Sequence, residues 1–195
     1  EAADGAGLAS KYRNAIRDFV IGAKADGFWT SIKAACFLAG PATLTGALVP
    51  LVGAAPTSVN FVSGDYIQAT GLLGNGSTKY LNSNRNNNAD PQDNVHQSVW
   101  VSTAHGSGSI AAYLGAGSGG DSGATHIISD RTASNWVAWR NRQTSFQTQS
   151  GGATTGFIGH TRSGSTTYTS RAASTSTAQA STSQTPFAGN CFVFA

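Results

Sequence analysis

The residues able to do chemistry are few in this chain and widely spaced. It holds nine acids, and Glu1 is the only glutamate. Beyond the first forty residues the carboxylates are Asp65, Asp90, Asp93, Asp121 and Asp130. Glycoside hydrolysis needs two carboxyl groups across the scissile bond, ~5 Å apart for retention or ~6.5–9.5 Å for inversion. No Glu-x-Asp-x-x-Glu strand pattern sets up such a pair. Most of these aspartates stand beside Gly, Asn or Pro, where the side chain commonly caps a turn. Gly106-Ser107-Gly108 and Gly117-Ser118-Gly119 lack the strand–turn–helix setting of a serine nucleophile. The chain therefore reads as a non-enzyme, with a glycan-degrading hydrolase as the least favoured alternative.

Metal ligands are equally dispersed. His96, His105, His126 and His160 stand singly, with no His-x-x-x-His or Cys-x-x-Cys neighbour, which argues against zinc. The stretch 82–94 is rich in side-chain oxygen, and calcium prefers such hard ligands. Asp90 and Asp93 are therefore weak calcium candidates, and no other cofactor is expected. The competing reading is an Asn-rich turn that satisfies its own backbone.

The aromatic residues offer a binding chemistry instead. In Ser98-Val99-Trp100-Val101-Ser102 and Trp136-Val137-Ala138-Trp139-Arg140, a two-residue period places Trp100 opposite its flanking valines. The same period groups Trp136 with Ala138 and Arg140. If the valines face a core, Trp100, Asn135, Trp136 and Arg140 form a candidate ligand-binding set suited to sugar stacking and hydroxyl hydrogen bonds. The alternative is that the N-terminal helices pack over this face and bury both rings.

Composition narrows the partners. Hydrophobic residues make up 39 %, enough for a core, but charged residues only 11 %, so Ser, Thr, Asn and Gly must form a nearly neutral surface. Such a surface suits glycan contact or packing against neighbouring subunits. The net charge is +3 with no run of basic residues, which argues against nucleic acid. No apolar stretch reaches the ~18 residues of a membrane span. The best candidate, 34–51, is broken by Gly40, Pro41, Gly46 and Pro50, so no membrane insertion is expected. Cys36 and Cys191 both sit in apolar runs, and whether they pair is left open.

The elements that must position these residues change character near residue 43. Leu8, Tyr12, Ala15, Ile16, Phe19, Val20 and Ala23 recur at helical spacing. Asp4 is a candidate N-cap and Gly22 or Gly27 a stop. A second short helix is expected over 26–38. From Thr43 onward, short β-branched and aromatic runs alternate with turn residues. Strands are expected near 44–49, 59–62, 65–73, 78–83, 95–103, 109–115, 124–130, 134–142, 145–149, 154–162, 165–171, 175–180 and 190–195. The fold expected is mainly β: a two-sheet antiparallel jelly-roll β-sandwich with two short N-terminal helices. Residues 1–42 form a helical lead-in packed on a sandwich of residues 43–195.

Several strings carry a resemblance. They include Phe19-Val20-Ile21-Gly22, Lys24-Ala25-Asp26-Gly27-Phe28-Trp29, the run from Thr43 to Gly53, Ala55-Pro56-Thr57 and Asn60-Phe61. The runs 74–85 and 88–94, then Gly156-Phe157-Ile158-Gly159-His160 and Phe192-Val193-Phe194, complete the set. Together they resemble a family of bacteriophage and prophage virion structural proteins, tail-fibre-like or virion-surface modules with a concanavalin A-like (laminin G-like) jelly roll. The resemblance implies location on the virion (tail or outer surface) and other virion proteins as partners. It also implies recognition of host-surface glycan and assembly as a homo-oligomer. Capsid decoration or tail assembly with a purely structural role is the alternative. The chain reads as a piece of a longer polypeptide.

Overall fold

Where apolar and polar residues alternate, the chain forms strands; where a left-handed or capping residue intervenes, they stop. The computed structural model describes residues 7–105, 110–130, 136–149 and 154–194. Helix α1 (Ser10–Ala25) forms as the periodicity predicts, with Tyr12, Ile16, Val20 and Ala23 the less exposed residues of its stripe. Gly27, at φ +78°, ends it: the Phe28 amide turns back to the Ala23 carbonyl at 3.1 Å, a closure that needs a left-handed residue. Phe19 is held edge-on against Phe37, with ring centroids 5.4 Å apart. The candidate cap Asp4 lies outside the described residues.

The second helix expected over 26–38 does not form. Trp29–Ser31 make a single 3-10 turn, Ile32 turns extended, and β1 (Ala35–Cys36) pairs with β2 (Pro50–Val52). A short apolar run fits either period, and here a partner strand satisfies the backbone. The converse error occurs at 44–49, expected as a strand. Thr43 accepts a hydrogen bond from the Gly46 amide at 3.0 Å and caps the one-turn helix α2 (Leu44–Ala47). The expected boundary at residue 42 falls between the paired strands β1 and β2. Neither cysteine is in a disulfide. The half-buried Cys36 thiol donates to the Ala47 carbonyl at 3.1 Å, and burial pushes its pKa up to about 11.

The remaining strands are β3 (Thr57–Val59), β4 (Tyr66–Ile67), β5 (Gly71–Leu72), β6 (Tyr80–Asn86), β7 (Val95–Val101), β8 (Ile110–Ala116), β9 (Thr125–Asp130) and β10 (Trp136–Asn141). After them come β11 (Gln147–Gln149), β12 (Gly156–Arg162), β13 (Thr167–Ala172), β14 (Thr175–Ala180) and β15 (Asn190–Val193). The strand expected at 65–73 is split into the β4–β5 hairpin, and β3 stops at Val59 because Asn60 takes φ +60°.

All pairing between these strands is antiparallel. One sheet runs β11-β10-β9-β8-β15-β6-β3 and a second runs β14-β13-β12-β7. One apolar core joins them: Tyr113, Ile127, Val137 and Trp139 come from the seven-stranded sheet, and Val101, Ile158, Tyr168 and Ala172 from the four-stranded sheet. Each of these strands therefore has an inner face on this core and an outer face turned away from it. No described helix is long and apolar enough to cross a membrane.

Candidate functional site

Val101 is buried and Val99 packs on the core, so the pleat sends Trp100 to the outer face of the four-stranded sheet. There it is 73 % exposed, the most exposed of the large hydrophobic side chains described. No described residue covers it, so the alternative of a helix packed over this ring is not realised. Register builds its surroundings. Phe157 lies opposite Trp100, Gly159 opposite Ser98 and Thr161 opposite His96; on the next strand Arg171 lies opposite Gly159 and Thr169 opposite Thr161.

Gly159 makes room at the centre of this face. A Cβ there would meet the Ser98 Cβ at 2.9 Å and the Phe157 ring at 3.2 Å. The Phe157 ring leans across this gap and lies nearly parallel to His96, with centroids 6.4 Å apart and planes at 18°. The His96 ring nitrogens meet Thr161 Oγ1 at 2.7 Å and Ser98 Oγ at 3.1 Å, and desolvation lowers its pKa. The exposed Arg171 sets its guanidinium 5.9 Å from the Phe157 ring centre and donates through Nε to the Ala173 carbonyl at 2.9 Å. The result is a shelf of two rings and an imidazole, edged by hydroxyls and one cation. The four strands of this sheet contain no Asp or Glu.

Arg140 corrects the expected constellation. It lies on β10, where Val137 and Trp139 face the core, so it belongs to the outer face of the other sheet, across the core from Trp100. It is also 1 % exposed. Its Nη1 donates to the Gly119 and Thr144 carbonyls, both at 2.9 Å, and its Nη2 to the Ser118 carbonyl at 2.6 Å. Nε and Nη2 both reach His126 Nδ1, at 3.2 and 2.9 Å. The guanidinium also lies 4.4 Å from the Phe146 ring centre. Every N–H is engaged, so Arg140 binds the chain to itself and offers nothing to a ligand. Asn135 lies outside the described residues; Trp136 is placed by backbone alone, opposite Asp130 in the β9–β10 ladder.

His126 is fixed by the same network. Nδ1 accepts from Arg140, so Nε2 carries the proton and donates to the Gly117 carbonyl at 2.9 Å. Desolvation, then the adjacent guanidinium, lowers its pKa from 6.5 to about 4. Beside it opens a hollow of about 340 Å³, floored by Ala112, Ile128 and Ala138 and rimmed by Ile110, Phe146 and Thr148.

Asp90 and Asp93 are not gathered into a metal cage. Asp90 pairs with Arg85 at 2.5 Å and Asp93 accepts from Ser183 at 2.5 Å. Among the described residues no group of three or more His, Cys, Asp or Glu is placed to hold a metal.

A second polar network was not foreseen from the sequence. Arg162, fully buried, donates to the carbonyls of Asn141 at 2.7 Å, Ser181 at 3.0 Å and Gly164 at 3.1 Å. Arg142, at φ +58°, donates to the Asn87 and Asp90 carbonyls. His160 accepts from Asn141 at 2.6 Å through Nδ1, while its buried Nε2 finds no partner among the described residues. Burial drives its pKa down to about 3. The signal available was the run Trp139-Arg140-Asn141-Arg142: one cation on β10 opposite His126, not an acid, and a second just past the strand's end.

Comparisons with known proteins were made at three levels. No family model, no curated protein and no solved structure matches this chain.

Proposed function

We propose that this chain is a bacteriophage virion-surface module, tail-fibre-like, that recognises host-surface glycan on the outer face of its four-stranded sheet. In this reading the two sheets are the layers of a concanavalin A-like jelly roll. Trp100 carries the proposal: its ring, 73 % exposed on a regular strand and paired with Phe157 on the next, offers an apolar plane that a sugar ring can cover. Its setting suits a sugar. Phe157 adds a second apolar plane, and Ser98, Thr161 and Thr169 supply hydroxyls that donate and accept. Arg171 adds a charged donor at the edge. An acid-free face suits holding a glycan and lacks the carboxylate pair that cleaving one requires.

The test is binding of the purified chain to a glycan array and to host-cell envelope extract, with Trp100→Ala beside the wild type. The expected result is binding that falls at least tenfold in the variant. Absence of wild-type binding to every glycan and extract would overturn the proposal. A purely structural role, in capsid decoration or tail assembly, is the second reading. The apolar rim formed by Ile110, 56 % exposed, and Phe146, 37 % exposed, on the opposite face favours it.

A further inference from the structure

The two large sheets have four edge strands, which differ in length and in how they are tethered. β11 and β3 are three residues long, too short to template a partner. β7 is tethered by side chains to neighbouring segments: Gln97 reaches Cys191 of β15 at 3.4 Å, and just past the strand Ser102 bonds the Thr70 carbonyl at 2.7 Å. β14 is different. It is six residues long, in unbroken register with β13, and contains no charge, proline, glycine or bulge. Thr175, Ser176, Ala178 and Ala180 are exposed, and no described backbone group outside the ladder bonds to the strand. Natural sheets guard such edges, and an unguarded one is a template for pairing.

The hydrogen-bonding pattern shows which groups are free. β13 and β14 are joined by the two-residue turn Ala173-Ser174, so Ala172 and Thr175 close the hairpin as a bonded pair. Alternation then directs the main-chain groups of Thr175, Thr177 and Gln179 toward β13, and those of Ser176, Ala178 and Ala180 outward. We propose that β14 pairs with β14 of a second copy of this chain, antiparallel about a two-fold axis, to give a continuous eight-stranded sheet. With Ala178 facing its own copy on the axis, Ser176 meets Ala180 of the partner subunit, and all three outward residues are used, giving about six hydrogen bonds. A second copy suits this edge because identical strands of Thr, Ser, Ala and Gln meet without like-charge repulsion. Alanine on the axis also lets the backbones close to bonding distance. The inference rests on the edge alone and is independent of glycan binding.

Sedimentation velocity over a concentration series, with Ala178→Lys and Ala178→Pro, is the test. The wild type is expected to dimerise. Ala178→Pro removes an outward amide and leaves the internal ladder whole, so it should weaken the dimer at least tenfold without changing circular dichroism. Ala178→Lys should do the same by repulsion across the axis, and decides the matter if the proline variant fails to fold. Ala178→Cys should form a disulfide-linked dimer on oxidation, because Cα atoms across a bonded pair are ~5.5 Å apart, within disulfide reach. Thr148→Cys on β11 should not. Trp100→Ala should leave the dimer intact, which separates this inference from the glycan reading. A wild type that stays monomeric, a dimer indifferent to both Ala178 substitutions, or a trimer would each overturn it.

Discussion

Arg171 and Arg140 lie on the two outward surfaces of the same molecule and are used in opposite ways. Arg171 is exposed, makes one backbone hydrogen bond and lies beside an aromatic ring. Arg140 is buried, and three carbonyls and an imidazole take all its donors. A cation on a strand is thus no sign of a binding site until its hydrogen bonds have been followed. The four-stranded face leaves its arginine exposed, while the seven-stranded face turns its own inward to fix its loops.

The sharpest way to break this comparison is Arg140→Ala. It removes the donor shared by the Ser118, Gly119 and Thr144 carbonyls and His126, and should destabilise the fold by roughly 3–5 kcal/mol in urea unfolding. A loss below ~1 kcal/mol would mean that the network holds little together.

Acid should attack the same side. The folded pKa of His126 is about 4, against 6.5 for the free side chain. Between those values the unfolded chain binds a proton that the folded chain refuses, so stability falls as pH drops from about 6.5 toward about 4. The loss is on the order of 3 kcal/mol. His160, buried beneath with a folded pKa of about 3, extends the decline to lower pH. Equal urea midpoints at pH ~7.5 and ~4.5 would contradict this.

On the other face the effects should appear in binding and not in folding. Trp100→Ala should change unfolding free energy by less than ~1 kcal/mol, because the ring is exposed. It should still cost glycan affinity at least tenfold, measured by isothermal titration on whichever array glycan binds. A variant equally unstable and equally weak in binding would erase the distinction between the faces. Arg171→Ala should be the mildest, a loss of about threefold in affinity, in keeping with an exposed cation–aromatic contact worth ~0.5–1 kcal/mol. An unchanged affinity would take Arg171 out of the site.

The sequence was most legible where burial alternates. From Val95 on, each strand lies within a few residues of its predicted place, and the outward orientation of Trp100 follows from Val99 and Val101 alone. It was least legible before residue 60. There Thr43 capped a helix inside an apolar run, and Ala35-Cys36 joined a strand despite helical spacing, because short apolar segments satisfy both periods. Half of the expected site was lost for a topological reason. A two-residue period says that Trp100 and Arg140 both point away from a core, but not that two different sheets carry them. The buried arginines were illegible because their partners are backbone carbonyls, which any sequence provides.

The four strands beneath Trp100 hold no acidic residue, and Arg171 is the single cation standing exposed on their outer face. Attraction between full charges therefore has almost no part in any contact made there with a neutral partner, and dissolved ions have almost nothing to screen. Such a grip would hold as well in brine as in fresh water.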